Sequence, residues 1–321
     1  MKNIKRILIT GGTGFIGSHL VETFIDKGFY VTILDNLSSG NRKWLEQIEN
    51  VSNLNFVLGD ILDYDLVNKI MVNQDEVWHL AGNADIPLGV NNTQIDLETA
   101  VTGTRNVLEA MVKNNVKTII FTSSGSVYGN LAANLVSETS GPLYPLSMYA
   151  AGKISAEAFI SSYCHLFGLN GYIFRFGNVL GSRMPRGAIR DFLIRLSQDN
   201  SKLTILGDGK QAKSYFLVED CIEGMLYIKS HVFCEKRAEI FNLGNPGTTF
   251  IFEIAKNVIT TMGLSGVKLD YTNSEAWPGD QPVVNLDVSK VARLGWKPKR
   301  NSIEAVNEGI LRMYKFLKDF N

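Results

Sequence analysis

The stretch that decides the fold is ILITGGTGFIG, residues 7–17 of a chain of 321 residues. An apolar run rich in β-branched residues leads into a glycine turn, and residues 18–27 follow with helical spacing. Gly11 permits the tight turn, Gly14 lets the backbone approach a pyrophosphate, and Gly17 lets the helix pack against the strand. Because any structural turn could use the same glycines, the order of strand, turn and helix gives the motif its specificity. It predicts a dinucleotide site contacted by Gly11, Gly14, Phe15, Ile16 and Gly17.

Similar apolar runs recur throughout the first half of the chain. They lie at residues 6–10, 30–34, 55–58, 76–80, 118–122 and 171–176. Stretches with helical spacing separate them, most clearly at residues 97–115 and 149–167. Strands that alternate with helices form parallel sheets through right-handed crossovers. The pattern therefore predicts an α/β fold with a doubly wound parallel sheet of the Rossmann type.

The rhythm of the sequence changes after residue 176, where loops punctuated by glycine and proline begin. The elements predicted there are a helix at 188–198, short strands at 203–206 and 267–271, and a last helix from Ser302. This part of the chain is predicted to bind the substrate.

Two later runs, 214–218 and 239–243, have the apolar character of buried strands. They predict that the chain returns to the first sheet before it ends. We expect an NAD-binding domain over residues 1–176, to which residues 214–245 return. A smaller C-terminal mixed α/β substrate-binding lobe is expected mainly over residues 177–321.

The composition is that of an ordinary globular protein without a charge bias. Hydrophobic residues make up 45% and charged residues 20%, and Lys plus Arg equals Asp plus Glu at 32 each. A balanced charge gives no overall attraction to nucleic acid or to an anionic membrane. No apolar run has the length of a membrane span. We therefore expect a cytoplasmic protein without nucleic-acid or membrane partners.

The cysteines and histidines indicate neither disulfides nor a metal site. The three cysteines are widely spaced, and no CxxC pair occurs among Cys164, Cys221 and Cys234. The histidines are scattered along the chain at His19, His79, His165 and His231. This usage is typical of a reducing cytosol, and we interpret all four histidines as structural, with no metal bound.

Further predicted cofactor contacts lie at the ends of the later strands. Asp35 ends the second run, where the adenosine ribose of a dinucleotide is expected. Its carboxylate can accept both ribose hydroxyls and would repel a 2′-phosphate, which favours NAD over NADP; alternatively, Asp35 begins a simple turn. Asp60 follows the third run and can meet the adenine amino group or cap a helix. The other predicted contacts are Asn36, Ile61, Leu80, Ala81 and Thr122.

The helix predicted at 149–167 opens with a tyrosine and a lysine four residues apart. Tyr149 and Lys153 therefore share one face of the helix. A fixed ammonium nearby stabilises a phenolate, which lowers the pKa of the tyrosine toward a value useful for proton transfer. Such pairs also occur by chance on solvated helices, but here Ser124 follows a strand predicted beside the cofactor. The three side chains form the predicted catalytic group.

The sequence resembles the NAD-dependent epimerase/dehydratase family, the extended short-chain dehydrogenases, over essentially its whole length. The glycine motif, the Tyr-Lys pair and the strand end TSSGSVYG at residues 122–129 carry this resemblance. It implies that Tyr149 is the proton acceptor and that Ser124 hydrogen-bonds the reacting oxygen. It also implies NAD as the cofactor, with Lys153 bound to the nicotinamide ribose and Tyr149 beside it.

Four motifs of the second half extend the resemblance. They are RFGNVLG at 175–181, GDGKQ at 207–211, VED at 218–220 and PGD at 278–280. Each alone is an ordinary turn, and their order and spacing make the resemblance specific. They imply a nucleotide-sugar substrate, a UDP-sugar, whose diphosphate Asn178 holds. The predicted substrate-binding residues are Ser124, Ser126, Asn178, Lys213, Tyr215, Trp277, Asp280 and Val284.

The residues after Ser124 distinguish the reactions of the family. The 4,6-dehydratases carry an Asp-Glu pair where this chain has Gly125 and Ser126, and the decarboxylases place a glutamate at the second position. Elimination of water needs an acid and a base that glycine and a hydroxyl do not readily supply. The resemblance therefore implies a nucleotide-sugar 4-epimerase, nearest to the archaeal type of UDP-glucose 4-epimerase. Val284 would border the C2 substituent of the sugar, where its small size predicts room for N-acetyl forms.

Three positions depart from the family pattern. Lys213 stands where many members have an arginine, and Trp277 stands where many have a second one. A lysine keeps the charge without the bidentate fork, and a tryptophan has no charge, so the nucleotide must be anchored differently. Ala100 replaces an asparagine that commonly precedes the Gly-Thr pair at 103–104. These departures bear on the substrate and not on the cofactor.

Two other functions stay open at this point. One is another enzyme with the same catalytic group: a nucleotide-sugar dehydratase or reductase, or a hydroxysteroid-like dehydrogenase. Asn178 and residues 207–211 argue against an enzyme of this kind that acts on a non-nucleotide alcohol. The other is a non-catalytic NAD-binding scaffold, which the intact catalytic group disfavours.

The apolar faces of helices 97–115 and 149–167 could belong to the core, but in relatives the equivalent helices form a dimer interface. The resemblance therefore implies a homodimer.

Overall fold

The computed structural model of the chain describes residues 4–83, 85–272 and 278–319. Its strands are β1 (Arg6–Thr10), β2 (Tyr30–Asp35), β3 (Leu54–Leu58), β4 (Glu76–His79), β5 (Thr118–Ser124), β6 (Leu135–Val136), β7 (Asn170–Phe176), β8 (Asn178–Leu180), β9 (Lys202–Ile205), β10 (Ala212–Lys213), β11 (Tyr215–Leu217), β12 (Ala238–Leu243), β13 (Thr249–Phe250), β14 (Lys268–Tyr271) and β15 (Val283–Leu286). Its α-helices are α1 (Phe15–Asp26), α2 (Tyr64–Met71), α3 (Leu88–Asn91), α4 (Gln94–Asp96), α5 (Gly103–Lys113), α6 (Met148–Phe167), α7 (Ala188–Gln198), α8 (Val218–His231), α9 (Ile251–Thr261), α10 (Ser289–Arg293) and α11 (Ser302–Asp319).

The main sheet has seven strands in the order β12-β7-β5-β4-β1-β2-β3. Strands β3, β2, β1, β4 and β5 pair in parallel, one after the other. The chain moves outward from β1 to β3, then crosses back to place β4 on the other side of β1. Ligands of open α/β sheets bind at the carboxyl ends of the strands at such a switch point. The predicted doubly wound parallel sheet is confirmed, and its ligand site is expected beyond β1 and β4.

The six runs predicted in the first half are all strands of this sheet, displaced by no more than two residues at an end. Apolar, β-branched side chains fill them, and every residue of β4 is buried. The predicted helix at 97–115 is interrupted, because Leu97–Thr102 forms a π-helical segment before α5 begins at Gly103. Such segments occur often at functional sites.

Only one of the two later runs returns to the main sheet. β12 joins that sheet beside β7. The run at 214–218 does not, because β11 pairs with β8 in a separate two-stranded sheet. The chain then forms helix α8 before it reaches β12.

The chain divides into two compact units that are interleaved in sequence. The first comprises Met1–Val127, Ser147–Arg175 and Met225–Phe241. Its core packs side chains of the main sheet and of α5 and α6, including Val107, Phe121 and Ile160.

The second unit comprises Tyr128–Leu146, Phe176–Gly224 and Asn242–Asn321. It has its own core, which packs α7, α9 and α11 around β9 and β11. Residues 128–146, expected in the first domain, belong to it because β6 pairs with β15 and Tyr128 Oη donates to Asn242 Oδ1 at 2.6 Å.

Within the described residues, none of the helices combines the length and the apolar character needed to cross a membrane.

Candidate active site

The glycine turn after β1 has no room for side chains. Gly11 has a φ of +74°, and a Cβ added there would lie 2.8 Å from the backbone nitrogen of Ala81. A Cβ at Gly17 would lie 2.1 Å from the carbonyl oxygen of Gly11. Gly14 is the N-cap of α1 and provides no side-chain cap, which leaves the amides of Phe15 and the following residues for an anion. The turn fits the pyrophosphate of a dinucleotide.

Asp35 joins the end of β2 to this turn. Its Oδ2 accepts a hydrogen bond from the Thr13 backbone N–H at 2.9 Å, and its Oδ1 accepts one from the Leu37 N–H at 2.9 Å. Each carboxylate oxygen keeps a second lone pair, so Asp35 can still accept ribose hydroxyls. Asp35 thus holds the glycine turn in place, and its contact with the ribose stays a prediction.

Asp60 and Asn36, both predicted to contact the cofactor, lie side by side. Asn36 Nδ2 donates to Asp60 Oδ2 at 2.7 Å, and the Leu62 N–H donates to Asp60 Oδ1 at 2.9 Å. The alternative role of Asp60 as a helix cap is wrong, because Asp63 caps α2 by accepting from the Leu66 N–H. The predicted contact Ile61 is buried beside it.

The remaining predicted cofactor contacts lie at the carboxyl ends of β4 and β5. The backbone N–H groups of Leu80 and Ala81 donate to the carbonyl and hydroxyl oxygens of Thr10, at 3.1 and 3.3 Å. The Thr122 carbonyl accepts from Lys153 Nζ at 2.9 Å. These contacts lie at the switch point of the sheet, where the topology predicts a ligand.

The first unit brings the three predicted catalytic residues together. Ser124 ends β5, and Tyr149 and Lys153 lie on the first turns of α6. Ser124 lies beside the Tyr149 phenol, where hydrogen bonding from the serine favours the phenolate. Lys153 Nζ lies 5.7 Å from the centroid of the Tyr149 ring. The backbone N–H and the hydroxyl of Ser126 both donate to Ser124 Oγ, at 3.1 and 2.9 Å, which orients the Ser124 hydroxyl.

The sequence predicts a lowered pKa for Tyr149, but in the protein chain alone this pKa is raised. Burial raises the pKa of Tyr149 to about 12, and the carboxylate of Asp96 adds to the increase, while the hydrogen bond with Ser124 opposes it. Burial lowers the pKa of Lys153 to about 8. The Lys153 ammonium donates to Thr122 and does not contact the phenol oxygen directly. Burial therefore sets the direction of the Tyr149 shift.

His79 lies on the same side of the sheet, at the end of β4. Its ring nitrogens are hydrogen-bonded to the hydroxyls of Thr10 and Thr104, at 2.7 and 2.9 Å. Burial and the nearby Lys153 lower the pKa of His79 to about 3, so the ring is neutral. The geometry agrees with the structural role predicted for this histidine.

Two buried carboxylates near the catalytic group were not among the predicted residues. Glu157 accepts from Arg175 Nε and Nη2, at 3.0 and 2.6 Å, and from the Ser123 hydroxyl. Its position, one turn after Lys153 on the same face of α6, was a usable signal. Asp96 comes from the residues just before the π-helical segment, where no motif marks it.

Four of the predicted substrate-binding residues of the second unit lie on paired strands. Asn178 pairs with Tyr215 across β8 and β11, and Lys213 pairs with Val284 across β10 and β15. Lys213 Nζ forms a salt bridge with Asp280 Oδ1 at 2.8 Å. Burial and the Asp280 charge raise the pKa of Tyr215. Trp277 lies outside the described residues.

Known proteins share this architecture along nearly the whole chain. The profile of the NAD dependent epimerase/dehydratase family matches residues 7–244. A candidate UDP-glucose 4-epimerase of Methanocaldococcus jannaschii is 34% identical over 98% of this chain and 99% of its own. The structure of a Thermotoga maritima UDP-glucose 4-epimerase with UDP-glucose superposes with a TM-score of 0.87 at 29% identity, covering 98% of this chain and 100% of that one.

The relatives do not share one reaction. UDP-glucuronic acid decarboxylase 4 of Arabidopsis thaliana is 30% identical over 98% of this chain and 69% of its own length. The cofactor is common to the family, and NAD is the cofactor of this protein. With the family profile covering most of its length, the chain belongs to the NAD-dependent epimerase/dehydratase family.

Proposed function

We propose that this enzyme is a nucleotide-sugar 4-epimerase that interconverts UDP-glucose and UDP-galactose. The observation that carries the proposal is the surrounding of Ser124. The two positions after it are Gly125 and Ser126, and the Ser126 hydroxyl donates a hydrogen bond that orients Ser124. Neither position offers a carboxyl group that could serve the elimination of water. Similarity to proteins named as UDP-glucose 4-epimerases supports the same reaction.

Ser124 and Tyr149 perform the proton transfer in the proposed reaction. Tyr149, as the phenolate, removes the proton of the C4 hydroxyl, while Ser124 donates a hydrogen bond to that oxygen. The glycine turn and Asp35 would hold NAD, which would accept the hydride of C4 and return it. Lys153 contributes a positive charge beside the phenolate.

The return half of the reaction uses the same residues. The 4-keto sugar rotates and presents its opposite face, and Tyr149 gives its proton back to the C4 oxygen. One hydride and one proton leave the sugar and both return, so the cycle has no net redox change. The catalytic group therefore needs no further acid or base.

The residues of the second unit hold the UDP-sugar in this proposal. Asn178 binds the diphosphate, and Lys213 contributes a point charge that Asp280 already balances in part. Tyr215 packs beside them. Val284 is small and borders the C2 substituent, so UDP-N-acetylglucosamine is also a substrate.

A panel of substrates tests the proposed function. The purified enzyme is incubated with UDP-galactose, UDP-glucuronate or dTDP-glucose, and the products are identified by NMR. The proposal predicts UDP-glucose from the first substrate. Release of carbon dioxide from UDP-glucuronate, or a 4-keto-6-deoxy sugar from dTDP-glucose, would identify a decarboxylase or a dehydratase. Conversion of none of the three would contradict the proposal.

The proposed enzyme acts as a homodimer. Large apolar side chains are exposed on the first unit, at Leu97 before α5 and at Phe159 and Leu166 on α6. Such a surface favours association with a second copy. Sedimentation should give twice the chain mass of 35.6 kDa, and Leu166→Glu should shift the protein toward the monomer.

We place the enzyme in the cytoplasm. Its three cysteines, Cys164, Cys221 and Cys234, are buried and form no disulfide within the described residues, as in proteins of reducing compartments. Fractionation of cells should recover the activity in the cytosolic fraction.

A further inference from the structure

A carboxylate that the proposed mechanism does not use lies buried beside the catalytic group. Asp96 is 2% exposed and ends α4, directly before the π-helical segment Leu97–Thr102. Asn83 Nδ2 donates to its Oδ1 at 3.2 Å. Its Oδ2 has no hydrogen-bond partner among the described residues. A buried carboxylate oxygen without a partner is costly, so it calls for a functional reason.

Two glycines pack against Asp96, Gly152 against its backbone and Gly89 against its carboxylate. Gly152 lies between Tyr149 and Lys153 on α6, and a Cβ there would lie 3.1 Å from the Asp96 carbonyl oxygen. A Cβ added to Gly89 would lie 2.6 Å from Asp96 Oδ2. The turn of α6 that carries the catalytic pair therefore packs directly on Asp96.

Of the two carboxylates near Lys153, Glu157 is paired with an arginine and Asp96, within the described ranges, is not. The ammonium donates to the Thr122 carbonyl, and none of the salt bridges among the described residues joins it to a carboxylate. Glu157 is near, but Arg175 balances its charge at 2.6 Å. Asp96 has no cationic partner of its own in the part of the chain that the structure describes. A Cβ added to Gly82 would lie 3.4 Å from Lys153 Nζ, and the next residue, Asn83, donates to Asp96. The segment 82–83 therefore lies against both side chains, in a buried region where screening by water is weak.

We propose that Asp96 is a positioning residue that acts through Lys153. It keeps the buried ammonium charged and so sets the pH range in which Tyr149 transfers protons. The inference rests on the proposed function only for its catalytic readout, because the charge of Lys153 can be measured without substrate.

The direction of the effect follows from the signs of the charges. Burial lowers the pKa of Lys153, and the negative charges of Asp96 and Glu157 raise it again. Asp96 also raises the pKa of Tyr149, in addition to the effect of burial. Removal of the Asp96 charge therefore lowers both pKa values. Both limbs of the pH profile of turnover should move to lower pH.

The test compares Asp96→Asn with Glu98→Gln, which removes a carboxylate from the neighbouring helical turn. The titration of Lys153 is followed by NMR of lysine labelled with ¹⁵N at Nζ, assigned by loss of its signal in Lys153→Met. The Lys153 midpoint should fall by about one pH unit in Asp96→Asn, the size expected for loss of a nearby opposite charge. It should stay unchanged in Glu98→Gln. Equal midpoints in Asp96→Asn and the wild type would overturn the inference.

A second variant tests the inference even if Asp96→Asn does not fold. Gly89→Ala keeps the Asp96 charge but pushes a methyl group against Oδ2 and so displaces the carboxylate. The titration midpoint of Lys153 should therefore differ from that of the wild type. An unchanged midpoint in this variant would also count against the inference. If the wild type converts no UDP-hexose while Asp96→Asn still shifts Lys153, the proposed function fails and the inference stands.

Discussion

Replacement of Glu157 by glutamine tests whether a buried ion pair holds the catalytic group in register. The Glu157 carboxylate joins three elements, because it lies on α6 and accepts from Ser123 on β5 and from Arg175 on β7. The side chains of Glu157 and Arg175 are only 7% and 4% exposed. Ser123 directly precedes Ser124, and Glu157 follows Lys153 by one turn.

The size of the effect follows from burial. Loss of one partner leaves the other charge buried and unbalanced, which costs about 3–5 kcal/mol of folding free energy. At about 2–4 °C per kcal/mol for a domain of this size, Glu157→Gln should lower the melting temperature by about 10 °C. Glu223→Gln is the matched control, because Glu223 and Lys299 form an exposed pair, of a kind worth about 0–1 kcal/mol.

Thermal unfolding of both variants with saturating NAD is the assay, and turnover of UDP-galactose is measured at a temperature where both remain folded. Turnover should fall in Glu157→Gln, since α6 loses its register on β5. The double variant Glu157→Met with Arg175→Leu removes both charges and should recover much of the stability. A melting temperature of Glu157→Gln equal to that of Glu223→Gln would refute the reasoning.

Three further changes have defined outcomes. Tyr149→Phe should lower turnover by about two or more orders of magnitude through loss of acid/base catalysis, while Tyr144→Phe, at a side chain 70% exposed, should not. Asp35→Asn should weaken the preference for NAD over NADP in binding assays, and an unchanged preference would contradict the ribose contact. Val284→Tyr should reduce turnover of UDP-N-acetylglucosamine more than that of UDP-glucose; equal losses would place Val284 away from the sugar.

The sheet and the catalytic group were predictable because their signals are local. Alternation of apolar strands with helices marked six of the seven main strands, and the apolar run at 239–243 marked the seventh, β12. The spacing of Tyr149 and Lys153 marked one face of a helix, and the strand order brought Ser124 to them. These signals depend on short stretches of sequence and on general rules of parallel sheets.

Other features depend on contacts between distant parts of the chain. Residues 128–146 join the second unit because β6 pairs with β15, about 150 residues later, and no local pattern encodes that pairing. The raised pKa of Tyr149 reflects its burial and the charge of Asp96, neither of which its own helix reveals. Lys213 and Asp280 were each predicted to bind the substrate, but no local pattern encodes the salt bridge between them.

The most direct test of the proposed mechanism follows an isotope at C4. The enzyme as purified, with no NAD added, is given UDP-galactose that carries deuterium at C4, and the product is examined by NMR. The mechanism predicts UDP-glucose that retains deuterium at C4, since the hydride leaves and returns within one active site. Loss of the deuterium to solvent, or no conversion without added NAD, would contradict it.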